Sequence, residues 1–314
     1  MNKTKSDNSK FNRILPLALL MVFVLITCLK KTIDDSFKFV FITDIHIQKE
    51  LNADKGFIKA IDKINEINPA FVITGGDLIM DALKEPFEHS IKQYELYEEL
   101  SKEINVPVYN TVGNHDIFGI YEESGVDKAH SEYGKQMYKN RIGEGKTYYS
   151  FDYKNWHFII LDVIGITEDN KYMGIVDSLQ INWIKTDLST VDNETPIAIV
   201  GHIPFITAAM QLIYGYPAEM TPSLVVTNGL DVLELFGNHN LRIVLQGHLH
   251  IVEEIIYKDI HYITGGAVSG KWWEGANHGF EEGFISLEVE NDDFSWEFID
   301  YDWTSTYIDT TILE

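Results

Sequence analysis

Five short apolar runs in this chain end in the same way, and that shared ending constrains the fold more than any other feature. KFVFITDIHI (38–47) releases into Asp44 and His46, and FVITGGDLIM (71–80) into Asp77 after two glycines. VPVYNTVGNHDIFG (106–119) delivers Asn114, His115 and Asp116. PIAIVGHIPF (196–205) ends in His202, and LRIVLQGHLH (241–250) in His248 and His250. Short continuous aliphatic runs are the mark of strands buried on both faces, and glycine then breaks them. Ligands of open α/β proteins sit just beyond the carboxyl ends of such strands. A single Asp or Asn after glycine is an ordinary turn residue, and a single strand-end histidine is usually structural. With eleven histidines in the chain, one H-x-H is unremarkable. Five successive strand ends, each offering only Asp, Asn or His, are not explained by five separate turns.

Between these runs the pattern alternates. Strands are expected at 38–43, 71–74 and 106–111, with amphipathic helices at 57–67 and 86–104. That β-α-β-α-β opening predicts parallel strands with helical crossovers. Residues 117–146 read as an irregular excursion with a helix at 131–140. A hairpin follows at 147–152 and 156–162, then a helix at 178–188 and strands at 196–200 and 241–246. The end of the chain is strand-rich, at 251–257, 260–264, 283–290 and 294–301. The expected architecture is α/β, two packed mixed sheets with helices outside, in a domain spanning 36–303.

The N-terminus reads differently. Lys3, Lys5, Lys10 and Arg13 precede an apolar run from residue 14 to residue 29, interrupted by Pro16. A positive region before such a run is the pattern of an export signal, and sixteen residues fall short of a comfortable transmembrane helix. Leu25, Ile26, Thr27 and Cys28 resemble a bacterial lipobox, with Thr27 where a smaller residue is usual. Residues 1–29 are therefore expected to be a signal or lipoprotein-type segment. The chain is expected at the cell envelope, held at a membrane surface by lipid on Cys28. A cleaved signal giving a periplasmic or secreted protein, or an uncleaved anchor, are the alternatives. Cys28 is the only cysteine, so the domain has neither disulfides nor thiolate chemistry. Without residues 1–27 it carries 21 basic against 47 acidic side chains, a formal charge of −26. Such a surface repels polyanions and makes a nucleic-acid partner unlikely, while a small phosphate ester can still be drawn to bound cations.

The series D-x-H, G-G-D, G-N-H-D, G-H and G-H-x-H, from Asp44 to His250, resembles the calcineurin-like metallophosphoesterase family. The resemblance implies a four-layer αββα sandwich holding two divalent or trivalent ions, manganese, zinc or iron. It implies one ion at Asp44, His46, Asp77 and His250, and the other at Asp77, Asn114, His202 and His248, with Asp77 bridging. His115 is left as the catalytic histidine, and Asp116 is read as structural. Imidazole and carboxylate suit these metals, a carboxylate bridge holds two cations close together, and water between them is activated toward phosphorus. The implied enzyme is a metal-dependent phosphoesterase, a phosphodiesterase on a small nucleotide-like or lipid-headgroup ester. A phosphomonoesterase is the alternative, and a non-catalytic anchored scaffold on the same fold a further one. Met80 stands where purple acid phosphatases carry tyrosine, and GGDLIMDA departs from the protein-phosphatase pattern G-D-x-V-D-R-G. Substrate choice is expected from loops at 117–146, 205–222 and 266–279. In the last, Trp272, Trp273 and His278 are candidates for touching substrate, the tryptophans by stacking a base or covering an apolar leaving group.

Overall fold

A computed structural model describes residues 35–307. The expected signal segment and Cys28 lie outside the described residues, within which no helix is long and apolar enough to cross a membrane.

The first sheet opens with β1 (Phe37–Ile42), which runs parallel to β2 (Phe71–Thr74), itself parallel to β3 (Val108–Tyr109). Between β1 and β2 lies α1 (Ala53–Ile67), and between β2 and β3 lies α2 (Phe87–Leu100). On the other side β1 pairs antiparallel with β12 (Gly283–Glu290), which pairs with β13 (Asp293–Asp300). The second sheet takes β4 (Tyr149–Tyr153), β5 (Trp156–Ile160), β8 (Pro196–Val200), β9 (Asn240–Gln246), β10 (Val252–Tyr257) and β11 (Ile260–Gly265). Its order is β10-β11-β9-β8-β5-β4, with the four central strands parallel and both edges antiparallel.

Alternation along the central strands assembles four layers. Phe39, Phe41, Phe71 and Ile73 point between the sheets, where they meet Phe158, Ile160, Ile243 and Leu245. The intervening Val40, Ile42 and Val72 face outward, against Phe57, Ile61 and Ile64 of α1 and Tyr94 and Tyr97 of α2. Across the molecule, Ile159, Ile197 and Val244 pack outward on Ile184 and Leu188 of α4 (Ser178–Leu188). Period-2 side chains that are apolar on both faces require cover on both faces, and the helices supply it. Asp177 caps α4, its carboxylate accepting the Gln180 N–H at 2.8 Å.

Six elements differ from expectation. The strand at 106–111 shrinks to two half-buried residues at the sheet edge, where Pro107 has no N–H to give. The helix of the excursion is α3 (Gln136–Arg141), shorter than expected. A small hairpin, β6 (Ile164–Ile166) with β7 (Tyr172–Gly174), interrupts what read as loop. The six-residue helices α5 (Ala209–Tyr214) and α6 (Gly229–Glu234) do the same further on.

Candidate metal centre

All five releasing strands end on one side of the two sheets, so their polar residues converge. Asp44 and His46 follow β1 and are tied to the next turn by backbone bonds, Asp44 N to Gly76 O at 3.1 Å and His46 N to Asp77 O at 3.0 Å. Asp44, His46, Asp77, His248 and His250 all hold positive φ, between 46° and 73°. Side chains rarely adopt that region unless the surroundings impose it. Two glycines permit the close approach. A Cβ on Gly113 would lie 2.1 Å from Asp77 N, and one on Gly247 would lie 2.1 Å from Thr43 Oγ1.

The side chains form two sets that share Asp77. In the first, His250 Nε2 lies 3.1 Å from His46 Nε2 and 3.3 Å from Asp44 Oδ1, and His46 Nε2 lies 3.6 Å from Asp77 Oδ2. In the second, His202 Nε2 lies 3.2 Å from Asp77 Oδ2, 3.0 Å from Asn114 Oδ1 and 3.3 Å from His248 Nδ1. The ligand atoms of Asp44, His46 and His250, and those of Asp77, His202 and His248, lie close enough for each group to hold an ion. Asp44, His46, Asp77, Asn114 and His202 are at most 2% exposed.

Carboxylate oxygens, an amide oxygen and imidazole nitrogens crowded together are a ligand set that fits cations. His202 Nδ1 donates to Gly75 O and His250 Nδ1 to Gly270 O, which turns each Nε2 toward the centre, the outer-shell device by which proteins orient metal-binding histidines. The amide nitrogen of Asn114 is buried without a partner while its oxygen faces the set. Asp44 is oriented by Thr43 Oγ1 at 2.7 Å and by the His248 N–H at 2.9 Å.

Electrostatics within the pair of sets are strongly shifted. Burial raises the Asp44 carboxyl, but His250 and then His202 outweigh it and hold it at about 2. Burial likewise opposes ionisation of Asp77, yet His202 and His115 hold it well below the usual carboxylate range. Burial depresses His46 well below its ordinary value and His248 to about 4, whereas Asp77 lifts His202 to about 9 against its own burial. Both buried carboxylates are thus ionised and balanced by imidazolium, charge that a cation would replace with release of protons.

His115 stands beside the first set, its ring 4.8 Å from that of His46 at 86°. It reaches toward His46 and Asp77 closely enough to count as a third candidate ligand group. It also binds Asp77 through its backbone, His115 N to Asp77 Oδ1 at 2.8 Å. Its ring Nδ1 lies 3.9 Å from Asp81 Oδ1, and the side chain is 24% exposed. Asp116 accepts the N–H groups of Leu78 at 2.9 Å, Ile79 at 3.3 Å and Gly113 at 2.8 Å, joining two of the releasing turns. Burial, then Asp77, pushes its carboxyl up to about 7.

The 266–279 loop is laced to the β1 end, Val268 N to Thr43 O at 3.0 Å and Ser269 Oγ to Asp44 O at 2.8 Å. Of the three loop residues expected to touch substrate, only Trp272 is presented at the centre, its ring 5.0 Å from His250. Trp273 is fully buried, and its indole N–H bonds to Ile45 O and His46 O, so it cannot meet a ligand. His278 is exposed and packs on Tyr214, 6.1 Å away, rather than on any residue of the two sets. Two neighbours of the centre were missed by sequence reasoning. Tyr172 of the β6–β7 hairpin lies 6.0 Å from His248, and Asp81 faces His115.

Residues 37–252 match the model of the calcineurin-like phosphoesterase family, and the chain belongs to that family. It is 24% identical over 229 residues to the human manganese-dependent ADP-ribose/CDP-alcohol diphosphatase, covering 58% of this chain and 63% of that protein. It is 23% identical over 254 residues to a probable cyclic nucleotide phosphodiesterase of Xenorhabdus bovienii, covering 76% and 89%. The fold is that of a dimetal phosphatase from Danio rerio, with a TM-score of 0.60 at 15% identity over 84% of this chain and 96% of that one. GAP50, the anchor in the inner membrane complex of Plasmodium, shares it with a TM-score of 0.53 at 19% identity, covering 87% of each.

Proposed function

We propose that this protein is a metal-dependent hydrolase of phosphoester bonds, acting on a small phosphodiester through two cations at the paired sets. The observation that carries this reading is the sharing of Asp77 Oδ2 between His46 at 3.6 Å and His202 at 3.2 Å, the geometry of a bridging carboxylate. Cations held there supply charge to neutralise phosphoryl oxygens and acidify water. Asp44, His46, Asp77 and His250 would hold one, and Asp77, Asn114, His202 and His248 the other. Manganese is the first metal to try, because the human relative is manganese-dependent by name. His115, partly exposed, would donate a proton to the leaving oxygen from its second nitrogen while Asp81 steadies the first.

A diester is favoured because two proteins this chain resembles are named a diphosphatase and a probable cyclic nucleotide phosphodiesterase. The anchor sharing this fold keeps a non-catalytic reading in view. Against it, every position of both sets is filled here and His115 stands beside them. Residues 1–29 support placing the enzyme at the cell envelope, held by lipid on Cys28.

The test is hydrolysis of bis(p-nitrophenyl) phosphate and p-nitrophenyl phosphate by the full chain, stripped of metal and reloaded with manganese. Faster diester turnover supports the proposal. Faster monoester turnover makes it a phosphomonoesterase, and two bound ions without turnover of either would favour the anchor.

A further inference from the structure

Trp272 and Trp273 mark the most strained stretch of the loop over the centre. Their φ angles are 48° and 72°. Consecutive left-handed aromatic residues are strained and persist only where the surroundings over-determine them. Trp273 supplies that constraint. Its N–H bonds to Ser269 O at 2.6 Å, its carbonyl accepts Ser305 Oγ at 2.6 Å, and its indole N–H is held by Ile45 O and His46 O. Its ring lies on Gly56 of α1, where a Cβ would come within 2.2 Å of the indole, and stands at 90° to Trp303. Residue 273 is pinned beneath the end of β1.

The pin dictates where its neighbour goes. Trp272 is held over the first set, its ring 5.0 Å from His250 and 6.2 Å from His46, with 38% of the residue exposed. An indole whose only role was to fill space would not need a strained backbone and an open face. His115 packs on the same His46 ring. Trp272 therefore shares a neighbour with the group that the proposed hydrolysis sets beside the leaving oxygen.

We propose that Trp272 is a stacking platform for a planar ring carried by the leaving alcohol, so that the preferred substrates are nucleoside-type phosphoesters rather than lipid-headgroup esters. This rests on the phosphoester reading and deepens it. The competing occupant of an indole face is an ammonium headgroup. On this face an ammonium would sit beside His46 and His250, the residues assigned to a metal cation, with like charge against like. A neutral ring meets no such repulsion, and stacking on an aromatic side chain tolerates any base.

Calorimetry on the manganese-loaded full chain tests this with adenosine 5′-monophosphate, ribose 5-phosphate and phosphocholine. The first two share a phosphate and sugar and differ by the ring. The wild type is expected to bind the nucleotide about tenfold more tightly than ribose 5-phosphate, a low-end stacking contribution. That ratio should fall to about 1 in Trp272→Ala and survive in Trp272→Phe. Equal binding of nucleotide and sugar phosphate by the wild type, or a ratio unmoved in Trp272→Ala, overturns the platform while leaving the phosphoester reading intact. Phosphocholine bound more tightly than ribose 5-phosphate, with the preference lost in Trp272→Ala, also overturns it, in favour of a cationic headgroup. Binding of none of the three contradicts the phosphoester reading itself.

Discussion

The layer between the sheets and the rim above it are built from opposite backbone choices. Between the sheets, Phe39, Phe71 and Phe158 sit in extended strands and contact one another at centroid distances of 5.2 to 5.5 Å, rings packing rings with no polar demand. At the rim, five of the seven residues of the paired sets hold positive φ, and both carboxylates are buried. The layer is where folding free energy is gained, and the rim is where part of it is spent. The strain persists because the strands ending there are fixed by the aromatic layer below, and because Gly113 and Gly247 let the turns close on one another. Substitutions in the layer should therefore cost stability and spare chemistry, while those in the rim should above all cost chemistry.

The largest expected effect lies at the rim. Asp77→Ala should reduce phosphoester hydrolysis by about 10³-fold or more, since it removes the residue common to both sets. Its urea midpoint without metal should fall at pH 7, because the buried His202 ring and the His115 N–H lose their shared partner. Unchanged turnover in that variant would break the comparison. Next comes Phe71→Ala in the layer, which should cost about 3–5 kcal/mol in urea unfolding while leaving turnover per folded molecule unchanged.

The smallest effect sharpens what makes the rim special, since it concerns a second group of histidine and carboxylates far simpler in design. His157 on β5 lies between Asp152, 2.6 Å from Nδ1, and Asp187, 2.9 Å from Nε2, tying the β4–β5 hairpin to α4. Burial opposes its protonation, but Asp187 and then Asp152 raise its pKa above the ordinary value. Asp187, which burial would raise, is lowered by His157 and Ser150. A raised histidine stabilises fully below its unfolded pKa of about 6.5 and loses that contribution as pH rises through its folded value. A lowered aspartate contributes above its unfolded value of about 3.9. The stability margin of wild type over His157→Gln should thus be greatest between about pH 4 and 6.5 and decline above, as read by urea unfolding across that range. A margin that grows above pH 7 would show the imidazole to be held neutral.

Much of this was legible in the sequence because the rim is written at strand ends. Asp, Asn and His after apolar runs, mostly behind glycine, locate nine converging residues, of which the family resemblance singles out seven as ligands, and two-faced apolar periodicity gives the four layers. Adjacent identical residues were not separable. Trp272 and Trp273 differ only because Gly56, more than two hundred positions earlier, leaves room for one indole. Tyr172 was missed because β7 is three residues long and carries no periodicity. Asp81 was missed because its place opposite His115 depends on Gln93 of α2, whose side chain bonds both its N–H and its carbonyl. His278, read as a substrate contact from its loop, pairs instead with Tyr214 of a helix that the sequence did not announce.

The central claim is that the rim performs phosphoester hydrolysis with His115 assisting departure of the leaving group. It is tested most directly by turnover of bis(p-nitrophenyl) phosphate by the manganese-loaded wild type and His115→Ala, with bound manganese counted in the same samples. Two ions per chain in both proteins, with turnover reduced about 10²- to 10⁴-fold in the variant, is the expected result. Unchanged turnover in a variant that keeps both ions, or loss of an ion along with the activity, would contradict it.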